Sequence, residues 1–223
     1  MMESTVFRSD LLERVKDSGI IAVLEIDDSD NAIPVVDALL EGGISAIELT
    51  LRTSSALESI RNISESRPEM TIGVGTVIFS GQLDDIVKAG AHFGVAPGLN
   101  PEIVSRAQEL GFSFAPGVIT PSELETGLSH GCQVLKFFPA EPSGGVSYLR
   151  SMNAPYAYLG LSYIPLGGVN LSNLVEYAGM KEVIAVGGTW VSKRNLIQTH
   201  DWKTITSNAV EAKNIWDSTR STL

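Results

Sequence analysis

One cysteine, Cys132, is all that the 223 residues contain. No intrachain disulfide can form, which fits a reducing compartment. Histidine is almost as scarce. His92, His130 and His200 are scattered, and no His/Cys/carboxylate spacing suggests a ligand set, so neither a metal nor a cofactor is expected. No G-x-S-x-G elbow occurs, which leaves a Ser-His-Asp hydrolase without support. Basic residues are outnumbered: 16 Lys and Arg against 26 Asp and Glu give a formal net charge of -10. Nucleic acid and anionic membrane both reward a basic surface, so neither is expected as a partner. An anionic small substrate stays open, because local charge in a cleft can oppose the net charge. No apolar run approaches the roughly 20 residues of a membrane span. The N-terminal "MMESTVFRSDLLERVKDSG" is charged throughout and lacks the apolar core of a secretory signal. Low-complexity segments and linkers are missing too. The expectation is a soluble, cytoplasmic protein, one domain over residues 1–223, acting on a small molecule.

What is present is a repeating unit. A short apolar, β-branched run is followed by Gly, Pro or Ser and then by an amphipathic helical pattern. The runs begin near Ile20 ("IIAVLEI"), Ala46 ("AIELTL"), Thr71 ("TIGVGTV"), His92 ("HFGVAPG"), Ser113 ("SFAPGV"), Gln133 ("QVLKFF"), Ser162 ("SYIPLGG") and Glu182 ("EVIAVGG"). Between them, Val35, Val36, Leu39 and Leu40 have helical spacing and stop at Gly42; Leu83, Ile86 and Val87 stop at Gly90; Ile103, Val104, Ala107 and Leu110 stop at Gly111. Asn100-Pro101 reads as N-cap and first helical residue, and Thr120-Pro121-Ser122-Glu123 as a capping box. Strands alternating with helices imply a parallel sheet with right-handed crossovers. Eight evenly spaced units in this length predict a closed (β/α)8 barrel, with an open doubly wound sheet as the alternative. "GVGTV" lacks the full dinucleotide-binding spacing. Phe7 to Ser18 predicts an extra helix before the first strand, plugging the barrel bottom.

In such barrels the active site lies at the C-terminal ends of the strands. Four polar residues reach those ends on the expected inward face. Glu48 shares parity with Ala46 and Thr50, and Arg52 follows on the same parity. Thr76 is in phase with Ile72 and Val74. Lys136 is in phase with Val134 and Phe138. Bland readings exist for each: Glu48 paired with Arg52, Arg52 solvated in a loop, Thr76 hydrogen-bonded at a strand end, Lys136 snorkelling or structurally paired. Burial disfavours the charged form of an amine, and a neutral amine attacks carbonyl carbon to give a Schiff base. A carboxylate beside it can move protons, and an arginine can hold a substrate carboxylate. Together these suit cleavage of a 2-keto acid. The last two runs end "PLGGV" and "VGGTW", paired glycines whose N–H groups can approach an anion where barrels often bind phosphate. Another phosphate-binding barrel enzyme, such as a sugar-phosphate isomerase or epimerase, and a catalytically silent metabolite-binding barrel stay open at this point.

"IELTLRT" (47–53), "GVGTV" (73–77), "APGL" (96–99), "LKFFPAE" (135–141), "GGV" (167–169) and "VGGTW" (186–190) resemble, in order and spacing, the 2-keto-3-deoxy-6-phosphogluconate / 4-hydroxy-2-oxoglutarate aldolases. The resemblance implies a class I, metal-independent aldolase on a (β/α)8 barrel, a homotrimer, with Lys136 as Schiff-base lysine and Glu48 as general acid/base. It implies that Arg52 and Thr76 hold the pyruvyl carboxylate region, that Phe138 packs on the bound pyruvyl group and that Pro97 lines the pocket. Gly167, Gly168, Gly187, Gly188 and Thr189 would hold the distal end of the substrate. Two departures stand out. Leu166 occupies a position where phosphogluconate-cleaving members commonly carry threonine, which removes a hydroxyl from the distal site. Thr189 replaces a common serine and keeps its hydroxyl.

Overall fold

The structure, a computed structural model, describes residues 7–223, so residues 1–6 of the expected domain lie outside the described residues. It is an α/β fold in which every strand pair is parallel. The strands are β1 Ile20–Leu24, β2 Ala46–Thr50, β3 Thr71–Gly75, β4 Phe93–Val95, β5 Ser113–Ala115, β6 Gly117–Val118, β7 Val134–Phe137, β8 Ser162–Pro165 and β9 Val186–Gly188. The helices are α1 Ser9–Ser18, α2 Ala32–Glu41, α3 Ala56–Ser66, α4 Gln82–Lys88, α5 Pro101–Glu109, α6 Pro121–Ser129, α7 Gly145–Asn153, α8 Leu174–Ala178, α9 Arg194–Gln198 and α10 Trp202–Arg220. No helix among the described residues is long and apolar enough to cross a membrane.

Six strands form one sheet in the order β5-β4-β3-β2-β1-β9, and three form a second in the order β6-β7-β8. Eight runs have become nine strands because the fifth divides at Pro116. Proline has no N–H to give a ladder, although its carbonyl accepts the Lys136 N–H at 2.9 Å. At the other end, the run expected to start at Glu182 forms a strand only from Val186. Before it stands a single parallel bridge, Tyr163 to Val183, and a second bridge joins Leu166 to Gly187. The two sheets therefore meet through one residue of chain on one side and through isolated bridges on the other.

Local signals explain the helices. Asn100 accepts the N–H of Glu102 at 2.9 Å ahead of α5. Thr120 and Glu123 complete a reciprocal capping box on α6, with Pro121 in the first turn. The first helix starts two residues later than its pattern, at Ser9, because Phe7 and Arg8 serve the sheet. Phe7 packs on Phe93 with ring centroids 5.7 Å apart, and the Arg8 N–H donates to Ser113 Oγ.

Alternation divides the strand side chains into two buried sets. Ile20, Ala22, Leu24, Ile47, Leu49, Ile72 and Val74 face the helices. Ile21, Val23, Ala46, Phe93, Val134 and Ile164 face inward with Phe7, Leu11 and Val15 of the N-terminal segment. The first helix thus closes the N-terminal ends of the strands, as its apolar spacing predicts. The second set fills the centre and leaves only the C-terminal rim for polar groups.

His92 belongs to the N-terminal end and has a structural task. Its Nδ1 accepts the Ile72 N–H at 2.9 Å, which requires that nitrogen unprotonated. Burial first, then Arg14 and Arg8, hold this histidine below its ordinary 6.5. The unfolded chain therefore takes the proton first, so stability is full above about pH 6.5 and falls as the pH drops below it. Urea midpoints should decrease between about pH 7.5 and pH 5.5, and His92→Gln should decrease less over the same interval. Equal decreases in the two proteins would remove His92 as the cause.

Candidate active site

The inner face of β7 carries Val134 and then Lys136, while Leu135 and Phe137 turn to the helices. Lys136 is 4% exposed, and an ammonium at that depth needs a partner. It has one. Lys136 Nζ lies 3.2 Å and 3.3 Å from the two carboxylate oxygens of Glu48, itself 3% exposed. Phe138 covers the amine from the side, its ring centroid 5.2 Å from Nζ.

Glu48 comes from β2, paired in register with Val23 of β1 and Gly73 of β3. Its carboxylate occupies space that only a glycine can leave: a Cβ on Gly75 would sit 1.8 Å from Oε1. Two of the inward positions of β3 thus carry no side chain. Gly73 makes room for the Phe93 ring and Gly75 for the carboxylate.

This arrangement corrects the phase assigned to Thr76. Ile72 and Val74, with which Thr76 shares parity, face the helices and not the centre. Thr76 reaches the cavity because its backbone is left-handed, at φ 65°, which turns the chain out of strand alternation after Gly75. Such a conformation costs a non-glycine residue of order 1 kcal/mol and clusters at functional sites. Thr76 Oγ1 accepts from Arg52 Nε at 3.3 Å. Arg52 does not pair with Glu48, which is taken by Lys136. Its Nη1 donates instead to Glu25 at 3.0 Å, and its side chain is 55% exposed at the rim.

A cavity of about 330 Å³ opens over these groups. Glu48, Arg52, Thr76, Pro97, Lys136, Phe138, Gly167, Gly168, Gly187, Gly188 and Thr189 all line it, so each residue singled out from the sequence reaches one space. Val23, Leu166, Val169, Asn170 and Trp190 complete the wall. The two glycine pairs differ in kind. Gly167 and Gly168 have φ of 92° and 87° and form a loop that side chains would strain. That loop is stitched to the segment after Phe138: the Ala140 N–H donates to Leu166 O at 2.7 Å and the Glu141 N–H to Gly167 O at 2.9 Å. Gly187 and Gly188 instead lie in β9, in register with Ile21 and Ala22. Their bareness accommodates neighbours. A Cβ on Gly187 would meet Leu166 Cγ at 2.6 Å, and one on Gly188 would meet the Trp190 ring at 2.0 Å.

The sequence profile of the KDPG and KHG aldolases matches residues 11–208. The chain belongs to the KDPG and KHG aldolase family. It is 37% identical over 195 residues to the 2-dehydro-3-deoxy-phosphogluconate aldolase of Haemophilus influenzae, covering 87% of this chain and 91% of that one. Among solved structures it is similar to the KDPG aldolase of Legionella pneumophila, captured with pyruvate as a covalent carbinolamine, with a TM-score of 0.86, 35% identity, and 91% and 97% coverage of the two chains. It is also similar to the 2-keto-3-deoxy-6-phosphogluconate aldolase of Zymomonas mobilis determined with 3-phosphoglycerate, with a TM-score of 0.83, 33% identity, and 92% and 95% coverage. Members of the family so named are aldolases, which are lyases.

Within this aldolase family member the chemistry available in the cavity follows from its donors. One amine, one carboxylate and one guanidinium line one space with the two glycine pairs. Among the described residues no three His, Cys, Asp or Glu side chains gather where they could hold a metal ion. Cys132 takes no part, since burial pushes its thiol up to about 12. Sequence reasoning missed Glu25, although Ile21, Val23 and Glu25 share the inward parity of β1. Nothing local in the sequence marks Trp190, whose place depends on the missing Cβ of Gly188.

Gly75→Ala should leave the fold intact by far-ultraviolet circular dichroism but lower aldolase kcat by roughly a hundredfold, because the new methyl displaces the Glu48 carboxylate. Unchanged turnover would mean that the carboxylate is not needed where it stands.

Proposed function

We propose that the protein is a class I, metal-independent aldolase cleaving a 2-keto-3-deoxy sugar acid to pyruvate and an aldehyde. The observation that carries this reading is the buried Lys136–Glu48 pair at the floor of the cavity, 3.2 Å apart under the Phe138 ring. The carboxylate takes a proton from the ammonium, and the free Lys136 amine attacks the C2 keto carbon. Glu48 returns its proton to the resulting carbinolamine's hydroxyl, which leaves as water; the iminium so formed draws electrons from the C3–C4 bond, and Glu48 is again a carboxylate. Glu48, through a water, accepts the proton of the C4 hydroxyl as that bond breaks. The aldehyde leaves, its former bonding pair remains as an enamine, and protonation at C3 restores the iminium. Water then releases pyruvate and the amine.

Arg52 and Thr76 hold the keto-acid carboxylate at the rim, and Pro97 lines the pocket beside it. Gly167, Gly168, Gly187, Gly188 and Thr189 face the distal end. Glyceraldehyde 3-phosphate is our first assignment of the aldehyde, from 2-dehydro-3-deoxy-6-phosphogluconate; the phosphorylated three-carbon ligand of the Zymomonas relative supports it. Glyoxylate, from 4-hydroxy-2-oxoglutarate, is the second. The two sheets read as one closed (β/α)8 barrel in a single domain over 1–223; the bridges from β8 to β9 and the one-residue gap between β5 and β6 support closure. Exposure of Phe79 and Ile78 beside the rim supports assembly, which we assign as a homotrimer. A lone cysteine suits the cytoplasm.

Incubation with pyruvate, reduction with borohydride and mass mapping should find one adduct, on Lys136, and none in Lys136→Met. Absence of an adduct would overturn the aldolase reading and return the isomerase and silent-barrel alternatives. Leu166→Thr should shift kcat/KM for the phosphorylated keto-deoxy acid by roughly tenfold while pyruvate exchange changes less than about twofold. Equal shifts would sink the assignment of residue 166 to the distal end.

A further inference from the structure

Arg52 is a long side chain at an open rim, and holding such a side chain in one pose requires contacts. It has two. Nε donates to Thr76 Oγ1 and Nη1 to Glu25 Oε1, at 3.3 Å and 3.0 Å. Arg52 lines the cavity, and among the described residues its Nη2 has no partner, so a guanidinium fixed at two of its nitrogens keeps the third free for a ligand. Glu25 is the better anchored half of the pair, 21% exposed against 55% for Arg52.

The anchoring of Glu25 continues behind it. Its second oxygen, Oε2, accepts from Arg194 Nη1 at 3.2 Å. Arg194 is gripped in turn by both oxygens of Asp27, one of them 2.9 Å from Nε, and Gln198 holds the same carboxylate at 2.8 Å. Arg194 and Gln198 draw the Asp27 carboxyl down to about 2, so that end of the chain stays charged. Glu25 and Asp27 follow β1, Arg52 follows β2, and Arg194 opens α9 after β9. These are three neighbouring strands of the sheet. Arg67–Asp37 and Arg106–Asp84 instead lie among the helices, and none of these four residues lines the cavity. Exposed pairs add little to stability, so the value of this chain lies in the pose it gives Arg52.

We propose that Glu25 is a positioning residue for the keto-acid carboxylate, acting through Arg52 and not by touching substrate. This rests on the aldolase reading above. Glu25 and Asp27 balance the charges of Arg52 and Arg194, so what the chain gives Arg52 is a fixed direction.

The test is a double-mutant cycle on the full chain, with kcat and KM for 2-keto-3-deoxy-6-phosphogluconate cleavage and borohydride trapping of pyruvate measured in every protein. Glu25→Ala should raise KM about tenfold with kcat within about twofold, the size expected from loosening one charge-assisted hydrogen bond. Glu25→Gln, which keeps an acceptor oxygen, should raise KM less. In an Arg52→Ala background, removing Glu25 should change KM by less than about twofold. A KM that stays level or falls in Glu25→Ala overturns the proposal, because Glu25 then does nothing for Arg52 or competes with substrate. An equal rise in the Arg52→Ala background overturns it too, because Glu25 then acts elsewhere. Wild-type protein that traps pyruvate on Lys136 while KM is unmoved sinks this proposal alone. Wild-type protein that traps none sinks the aldolase reading and this proposal with it.

Discussion

The buried ion pair between Lys136 and Glu48 is the constraint around which the molecule is arranged. Removing two charges from water costs several kcal/mol per ion, and their mutual attraction only partly offsets this. Stability alone does not call for such a pair at the centre of an apolar interior. Removing one partner would leave the other uncompensated, at a cost of about 3–5 kcal/mol. The fold therefore keeps both or neither. Supporting the pair requires an empty inward position at Gly75, a ring at Phe138 and strand ends that align β2 with β7 across the centre.

The architecture supplies these at little cost elsewhere. The N-terminal helix and Phe7 close the opposite end, so the inner apolar set is continuous from Phe7 to Leu166. Polar groups can then be confined to one rim. Around that rim, charge is paired in sequence rather than in isolation: lysine with glutamate at the floor, arginine with glutamate above it, and a second arginine behind. One guanidinium, that of Arg52, lines the cavity although the chain as a whole carries a formal charge of -10.

Much of this was legible in the sequence, for physical reasons that can be named. Strand alternation placed Lys136 and Glu48 inward without reference to any other part of the chain, because a period of two leaves no choice once one face is apolar. Capping boxes and proline starts located α5 and α6. The same alternation argument gave Thr76 the wrong reason: it was correctly placed at the cavity, but through a left-handed turn that alternation cannot register. The division of the fifth run at Pro116 was written in the residue itself, since proline cannot donate, yet its consequence depended on which neighbour needed that donor. Glu25 followed from parity and was passed over because its partner, Arg194, lies 169 positions along the chain. Contacts of that kind are a product of topology.

Leu166 and Gly187 form a complementary pair of shapes, one side chain filling the volume that the other lacks. Neighbours locked by size drift together. A bulkier residue at 187 is tolerated only after 166 has shrunk, and a smaller residue at 166 opens a void over 187 that water or a longer ligand can fill. Evolution toward a different aldehyde would thus proceed by paired exchange across β8 and β9, with the order of the two steps set by packing before chemistry is consulted.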